Sequence, residues 1–215
     1  MRRALAKAHL RLAAVEDGPF SRRRSRAPLV AVAWSGPHEL EGVAVGDVEV
    51  DGADASERIV ALVRALRQFD GIRAVLLDGI TVGGFNVVDL DWVARGLDRP
   101  VIAVTRRPPE FDRIRDALRT YFPRDATARW RRVRRHPLFR VPTGARPILA
   151  AAVGCTRAEA LEILRRATQR GYWPEPLRLA HLVAHALGPS PGRPRARPGR
   201  TLKARAPVSS RGPVA

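Results

Sequence analysis

Apolar positions along this chain follow two different periods. Residues 11–16 (RLAAVE), 28–34 (PLVAVAW) and 40–50 (LEGVAVGDVEV) are short apolar or alternating runs separated by Gly, Pro and polar clusters, the pattern of three antiparallel strands in a meander. Residues 55–69 (ASERIVALVRALRQF) then switch to helical period, with Ile59, Leu62, Val63 and Leu66 on one face and Asp54 as a candidate N-cap. A strand over 73–78, a helix over 86–96 and a strand over 100–105, opened by Pro100, complete the order βββαβαβ.

A meander followed by right-handed crossovers predicts an α/β fold. Its expected form is a mixed five-stranded sheet, three antiparallel strands then parallel additions, flanked by helices in the ribonuclease H-like layout. Further along, 110–120 reads as a helix, 148–153 (ILAAAV) as a strand, and 156–170 and 175–187 as helices, the last with Pro176 in its first turn. Residues 1–188 are expected to form a single domain. Residues 189–215 are rich in Pro and Arg and contain no acid, so a disordered basic tail is expected there.

Charge narrows the partners. The 215 residues carry 39 Lys and Arg against 21 Asp and Glu, a formal charge of +18, which favours a polyanion through counterion release. Nucleic acid is the expected partner, DNA before RNA, and no membrane. A single cysteine, Cys155, excludes a disulfide framework and a cysteine zinc site. Without an apolar stretch approaching about 18 residues or a cleavable leader pattern, a cytoplasmic location is expected.

The candidate chemistry lies in carboxylates at strand ends. Asp78 ends the apolar run AVLLD and Asp17 ends the first strand, and in this strand order those two strands lie side by side. Several acidic oxygens converging on magnesium would suit two-metal phosphodiester hydrolysis. Each Asp is also followed by Gly, an ordinary turn pair. Glu16 competes with Asp17, because neighbouring strand residues point to opposite faces and only one can face the metal; Asp17 is the preferred reading.

The segments VEDGPF, VDGADASE, LLDGITVGGFNVVD and WPEPLRLAHLVAHAL together resemble endonuclease V, and resemble more closely a mainly archaeal domain family related to it, over essentially residues 10–190. The resemblance implies a ribonuclease H-like, magnesium-dependent (or manganese-dependent) endonuclease that nicks nucleic acid near deaminated bases, uracil or hypoxanthine. Carried over residue by residue, the metal carboxylates fall on Asp17 (or Glu16) and Asp78. The intervening glutamate falls on Glu57, with Asp54 behind it, and the late histidine falls on His181. Glu175 and Arg178 match the neighbouring motif, and with His181 and His185 they recur at three- or four-residue steps. His181 and His185 lack the intervening glutamate of a zinc helix.

Departures from endonuclease V fall in two places. A lysine of that family is replaced by Thr105 followed by Arg106 and Arg107, of which an arginine can supply the charge. Its aromatic and proline wedge has no counterpart, so Gly83, Gly84, Phe85 and Asn86 are candidates for a base pocket, against a plain tight turn. Arg129, Trp130 and Arg131, within RWRRVRRHPLFR, are candidates for phosphate binding and base stacking. A non-catalytic nucleic-acid-binding protein of this fold and an inosine-directed RNA endonuclease stay open as readings of the sequence.

Overall fold

A computed structural model describes residues 10–21, 25–36 and 39–187; the expected basic tail lies outside them. Three strands open the fold: β1 (Arg11–Asp17), β2 (Arg26–Ser35) and β3 (Glu39–Glu49), paired antiparallel as 1-2-3. Helix α1 (Ala55–Arg64) leads to β4 (Ala74–Asp78), which pairs parallel with β1. A small hairpin of β5 (Thr81–Val82) and β6 (Asn86–Val87), then α2 (Leu90–Leu97), lead to β7 (Val101–Thr105), parallel to β4. The chain continues through α3 (Phe111–Tyr121), α4 (Ala126–Arg134), β8 (Phe139–Val141), β9 (Ile148–Val153), α5 (Arg157–Ala167) and α6 (Glu175–Leu187).

The sheet order is β3-β2-β1-β4-β7-β9-β8. Its first five strands are the expected ribonuclease H-like set, and the expectation of five strands is corrected to seven. Strand β9 adds antiparallel to β7, and β8 adds antiparallel to β9. The strand 148–153 was legible by its apolar run; nothing local to the three-residue β8 marks its pairing. The expected helix at 86–96 starts later, because Asn86 and Val87 pair in the hairpin and Asp89 caps the helix by accepting from the Trp92 amide at 3.0 Å.

Strand alternation divides the core in two. Ala13, Val15, Val75, Leu77, Val101 and Ala103 face α1 and α2. Leu12, Ala14, Ala74, Leu76, Ile102 and Val104 face α5 and α6. The small residues let helices approach closely: a Cβ on Gly18, just past β1, would meet the Ala184 carbonyl oxygen of α6 at 2.5 Å. Gly18 is what allows α6 to lie against the end of β1.

Asn86 ties β3, α1 and the hairpin together. Fully buried, it accepts from the Ala55 amide at 3.0 Å and donates to the Glu49 carbonyl at 3.0 Å and to the Asp54 carboxylate at 2.8 Å. Asn86→Ala strands several buried polar groups and is expected to cost ~2 to 4 kcal/mol in urea unfolding; a change within experimental error would show that the bracket carries no stability.

Candidate functional site: a buried carboxylate pair at the carboxyl edge of the sheet

The register Leu12↔Ala74 to Val15↔Leu77, extended by one residue, sets Glu16 opposite Asp78 at the carboxyl ends of β1 and β4. Both continue the side chains that face α6. Strand parity sets Glu16 on the face of Asp78, where the sequence reading preferred Asp17, and turns Asp17 to the other side. There the Asp17 carboxylate accepts the Gly83 amide at 2.9 Å, tethering the glycine turn, while burial, the first cause, and the charge of Asp78 raise its pKa.

Glu16 is 8% exposed, and its Oε2 is buried with no hydrogen-bond partner among the described residues. Burial pushes its pKa up to about 9, helped by the nearby Asp78 and Asp17 carboxylates and opposed by Arg106. Its other oxygen lies 3.1 Å from Nδ1 of His181 on α6. His181 is held below the ordinary histidine range, first by burial and then by His185 and Arg106; the two imidazole rings lie 3.9 Å apart. At neutral pH and without a cation, Glu16 and His181 are both uncharged. One oxygen of an acid is thus kept dry and unbonded, which is costly for a structural residue.

Arg106 donates to Asp78 at 2.9 Å, and its guanidinium lies 3.7 Å from the ring centre of Trp173, beside the start of α6. The arginine expected to replace a lysine is therefore Arg106; Arg107 is exposed. Trp173 as its platform was missed, since the two are far apart in sequence.

The other expected site residues do not join this cluster. Glu57 is exposed on α1, whose buried residues pack on the opposite face of the sheet, and no hydrogen bond or ion pair among the described residues ties it to Glu16 or Asp78. Asp54 stands at the N-cap position without a capping bond. Its oxygens accept from the Glu49 amide, Asn86, Arg58 and Arg26, and these contacts hold its pKa down against burial. Arg178 is exposed and pairs with Glu175 on the same helix at 2.5 Å. His185 is exposed beside His181.

The arginine-rich segment divides as well. Arg129 is corrected from a phosphate ligand to a buried strut: 7% exposed, it donates to Asp125 at 2.8 Å and to the Phe85 carbonyl at 2.5 Å and lies over the Phe122 ring. Trp130 packs edge-on against Phe111, at 6.2 Å between ring centres, rather than standing free for a base. Arg131 remains exposed. In the turn, Gly83 and Gly84 adopt φ of 55° and 89°, a region that favours glycine. The Gly83 amide is taken by Asp17 and the Phe85 amide by Asp51, so these two amides are not free for a base, while the Phe85 ring lines an adjacent cavity.

The donor set fits a divalent cation. Its groups are hard oxygens, two carboxyls share one face, and Glu16 Oε2 lacks a partner. A proton held to about pH 9 is what such an ion would displace. The sign of the linkage follows: the Glu16 contribution to stability is full below the ordinary glutamate range and is lost as pH rises toward about 9, because the unfolded chain releases the proton first. In chelator, Glu16→Gln is expected to raise the thermal midpoint over the wild type at pH 8, with the advantage shrinking by pH 4.5. An advantage equal at both pH values would refute the assignment.

Comparison with known proteins agrees with this architecture. The endonuclease dU family profile matches residues 8–188. A UPF0215 protein of Methanothermobacter thermautotrophicus is 38% identical over 189 residues, spanning 86% of this chain and 92% of that protein. A crystal structure of an Archaeoglobus fulgidus protein of unknown function is 30% identical with a TM-score of 0.74, covering 82% of this chain and 97% of that one. The catalytic domain of human endonuclease V shares the fold, with a TM-score of 0.55 at 17% identity over 84% of this chain and 83% of that one. Profile, relatives and fold agree, and the chain belongs to the endonuclease dU family.

Proposed function

We propose that this protein is a divalent-metal-dependent endonuclease that nicks nucleic acid, DNA in the first place, at or near a deaminated base. The observation that carries the reading is the dry carboxylate pair Glu16 and Asp78 at the carboxyl edge of the sheet, with Glu16 Oε2 left without a partner. The family description, which names an endonuclease and dU, and the formal charge of +18 support a polyanionic substrate carrying uracil.

Glu16 and Asp78 would hold the magnesium or manganese ion, with Asp17 on its flank. A magnesium ion held by one or two carboxylates keeps several waters and takes phosphate oxygens. When bound, the ion supplies Lewis-acid polarisation of the phosphate and lowers the pKa of a water. Glu16, once ionised, can only accept a hydrogen bond, so His181 must carry its hydrogen on Nδ1. That leaves Nε2 of His181 to take or return a proton. Arg106 uses one hydrogen bond on Asp78 and keeps further donors for a phosphate oxygen.

Duplexes of DNA and of RNA carrying uracil, hypoxanthine or normal bases, incubated with magnesium, test this reading. Lesion-dependent nicking is expected, and Asp78→Asn should lower its rate ~100-fold or more. No nicking of any duplex by the wild type, or an unchanged rate in Asp78→Asn, would overturn it.

A further inference from the structure

Residues 111–135, which hold helices α3 and α4, carry nine arginines against three aspartates. Their four aromatic side chains are used unevenly. Phe111 and Trp130 pack edge-on across the two helices, and Phe122 packs on Phe85 with 5.6 Å between ring centres. Tyr121, the last residue of α3, stacks on no other ring among the described residues. It is 64% exposed, more than any other large hydrophobic side chain described.

The turn that follows Tyr121 is closed and braced. The Phe122 carbonyl accepts the Asp125 and Ala126 amides at 3.1 and 2.7 Å, and Pro123 limits the backbone between them. Arg129 lies over the Phe122 ring and donates to the Phe85 carbonyl. Phe85 in turn belongs to the glycine turn whose Gly83 amide is bonded to Asp17. Tyr121 is therefore held next to the sheet edge that ends in Glu16 and Asp78, and it stands outside the cavity that Phe85 and Phe111 line.

Charge says what such a ring meets. Arg119 and Arg124, one on either side of Tyr121 in the chain, are exposed and engage no acid among the described residues. The acids nearby are taken: Asp112 and Asp116 lie 3.1 and 3.6 Å from Arg115, Glu110 lies 2.8 Å from Arg113, and Asp125 pairs with Arg129. Two uncompensated guanidinium groups around an open ring match a nucleic-acid strand, whose phosphates take the cations and whose bases stack on the ring. In an intact duplex both faces of a base are covered by its neighbours, so only an unpaired base can turn a face to the protein. We infer that Tyr121, flanked by Arg119 and Arg124, is a stacking platform for an unpaired base of the bound strand, so that this face binds locally opened nucleic acid in preference to matched duplex. The inference rests on the nuclease reading for its class of partner and adds the form of that partner and the residues that select it. A base opposite a wrong partner opens at lower cost, so the platform favours places where deamination has already weakened the pairing.

Binding, measured without cutting, tests the platform separately from the nuclease reading. Fluorescence anisotropy with calcium in place of magnesium compares a duplex that has a central bubble of unpaired thymines with the fully matched duplex of equal length. The wild type is expected to bind the bubble ~5-fold or more tightly than the matched duplex. Tyr121→Ala should weaken bubble binding ~5-fold or more and leave the matched duplex within about twofold, whereas Tyr121→Phe keeps the ring and stays within about twofold on both. Replacing Arg119 and Arg124 together by Gln should weaken both probes and lower the slope of log affinity against log salt by about 1 to 2. Unchanged bubble binding in Tyr121→Ala, equal losses on both probes, or a loss in Tyr121→Phe as large as in Tyr121→Ala would overturn the inference, as would an unchanged salt slope in the double arginine variant. A chain that selects the bubble through Tyr121 but never nicks in magnesium would uphold the platform and refute the endonuclease.

Discussion

The parallel pairing of β1 with β4 is the constraint on which the rest of the site depends. Because Val15 lies opposite Leu77, the next residues, Glu16 and Asp78, end up side by side where the backbone ladder gives out. The strands below them are buried on both faces, so water cannot solvate the two acids from beneath. Two carboxyls in that position cannot both ionise without compensation, and the fold supplies only part of it. Arg106 answers Asp78; Glu16 has His181 on one oxygen and nothing on the other. The fold holds this arrangement against its own electrostatic preference, a pattern that clusters at functional sites.

The flanking elements divide the work between the two sides of the edge. On the α6 side, Gly18 admits the helix close enough for His181 to reach Glu16, and Trp173 gives Arg106 a platform. On the α2 side, Asp17 and Asp51 hold the glycine turn by two backbone amides, and Arg129 fixes the Phe85 carbonyl from α4. The turn is thereby tied to both β1 and the arginine-rich helix.

Much of this was legible from periodicity. Most of the longer elements follow the apolar pattern closely, because burial on one or both faces imposes period 2 or 3.6 directly. The extra strand pairing was not legible, since β8 is three residues long and owes its existence to β9. The site was half legible. Asp78, Arg106 and His181 come together as the resemblance implies, but the choice between Glu16 and Asp17 depends on strand parity, which sequence alone does not fix. Asp54 and Arg129 show a partnering that the sequence hides. A charged side chain looks available until its partners are known, and Asn86, Arg58, Asp125 and the Phe85 carbonyl occupy them.

The central claim is that Glu16, rather than Asp17, joins Asp78 in holding a divalent ion. Titration of manganese against the wild type and the variants Glu16→Gln, Asp17→Asn and Asp78→Asn, followed by the electron paramagnetic resonance of free manganese, tests it most directly. The account predicts that Glu16→Gln and Asp78→Asn each lose binding by ~10-fold or more while Asp17→Asn loses much less. Binding that survives in Glu16→Gln and disappears in Asp17→Asn would contradict it.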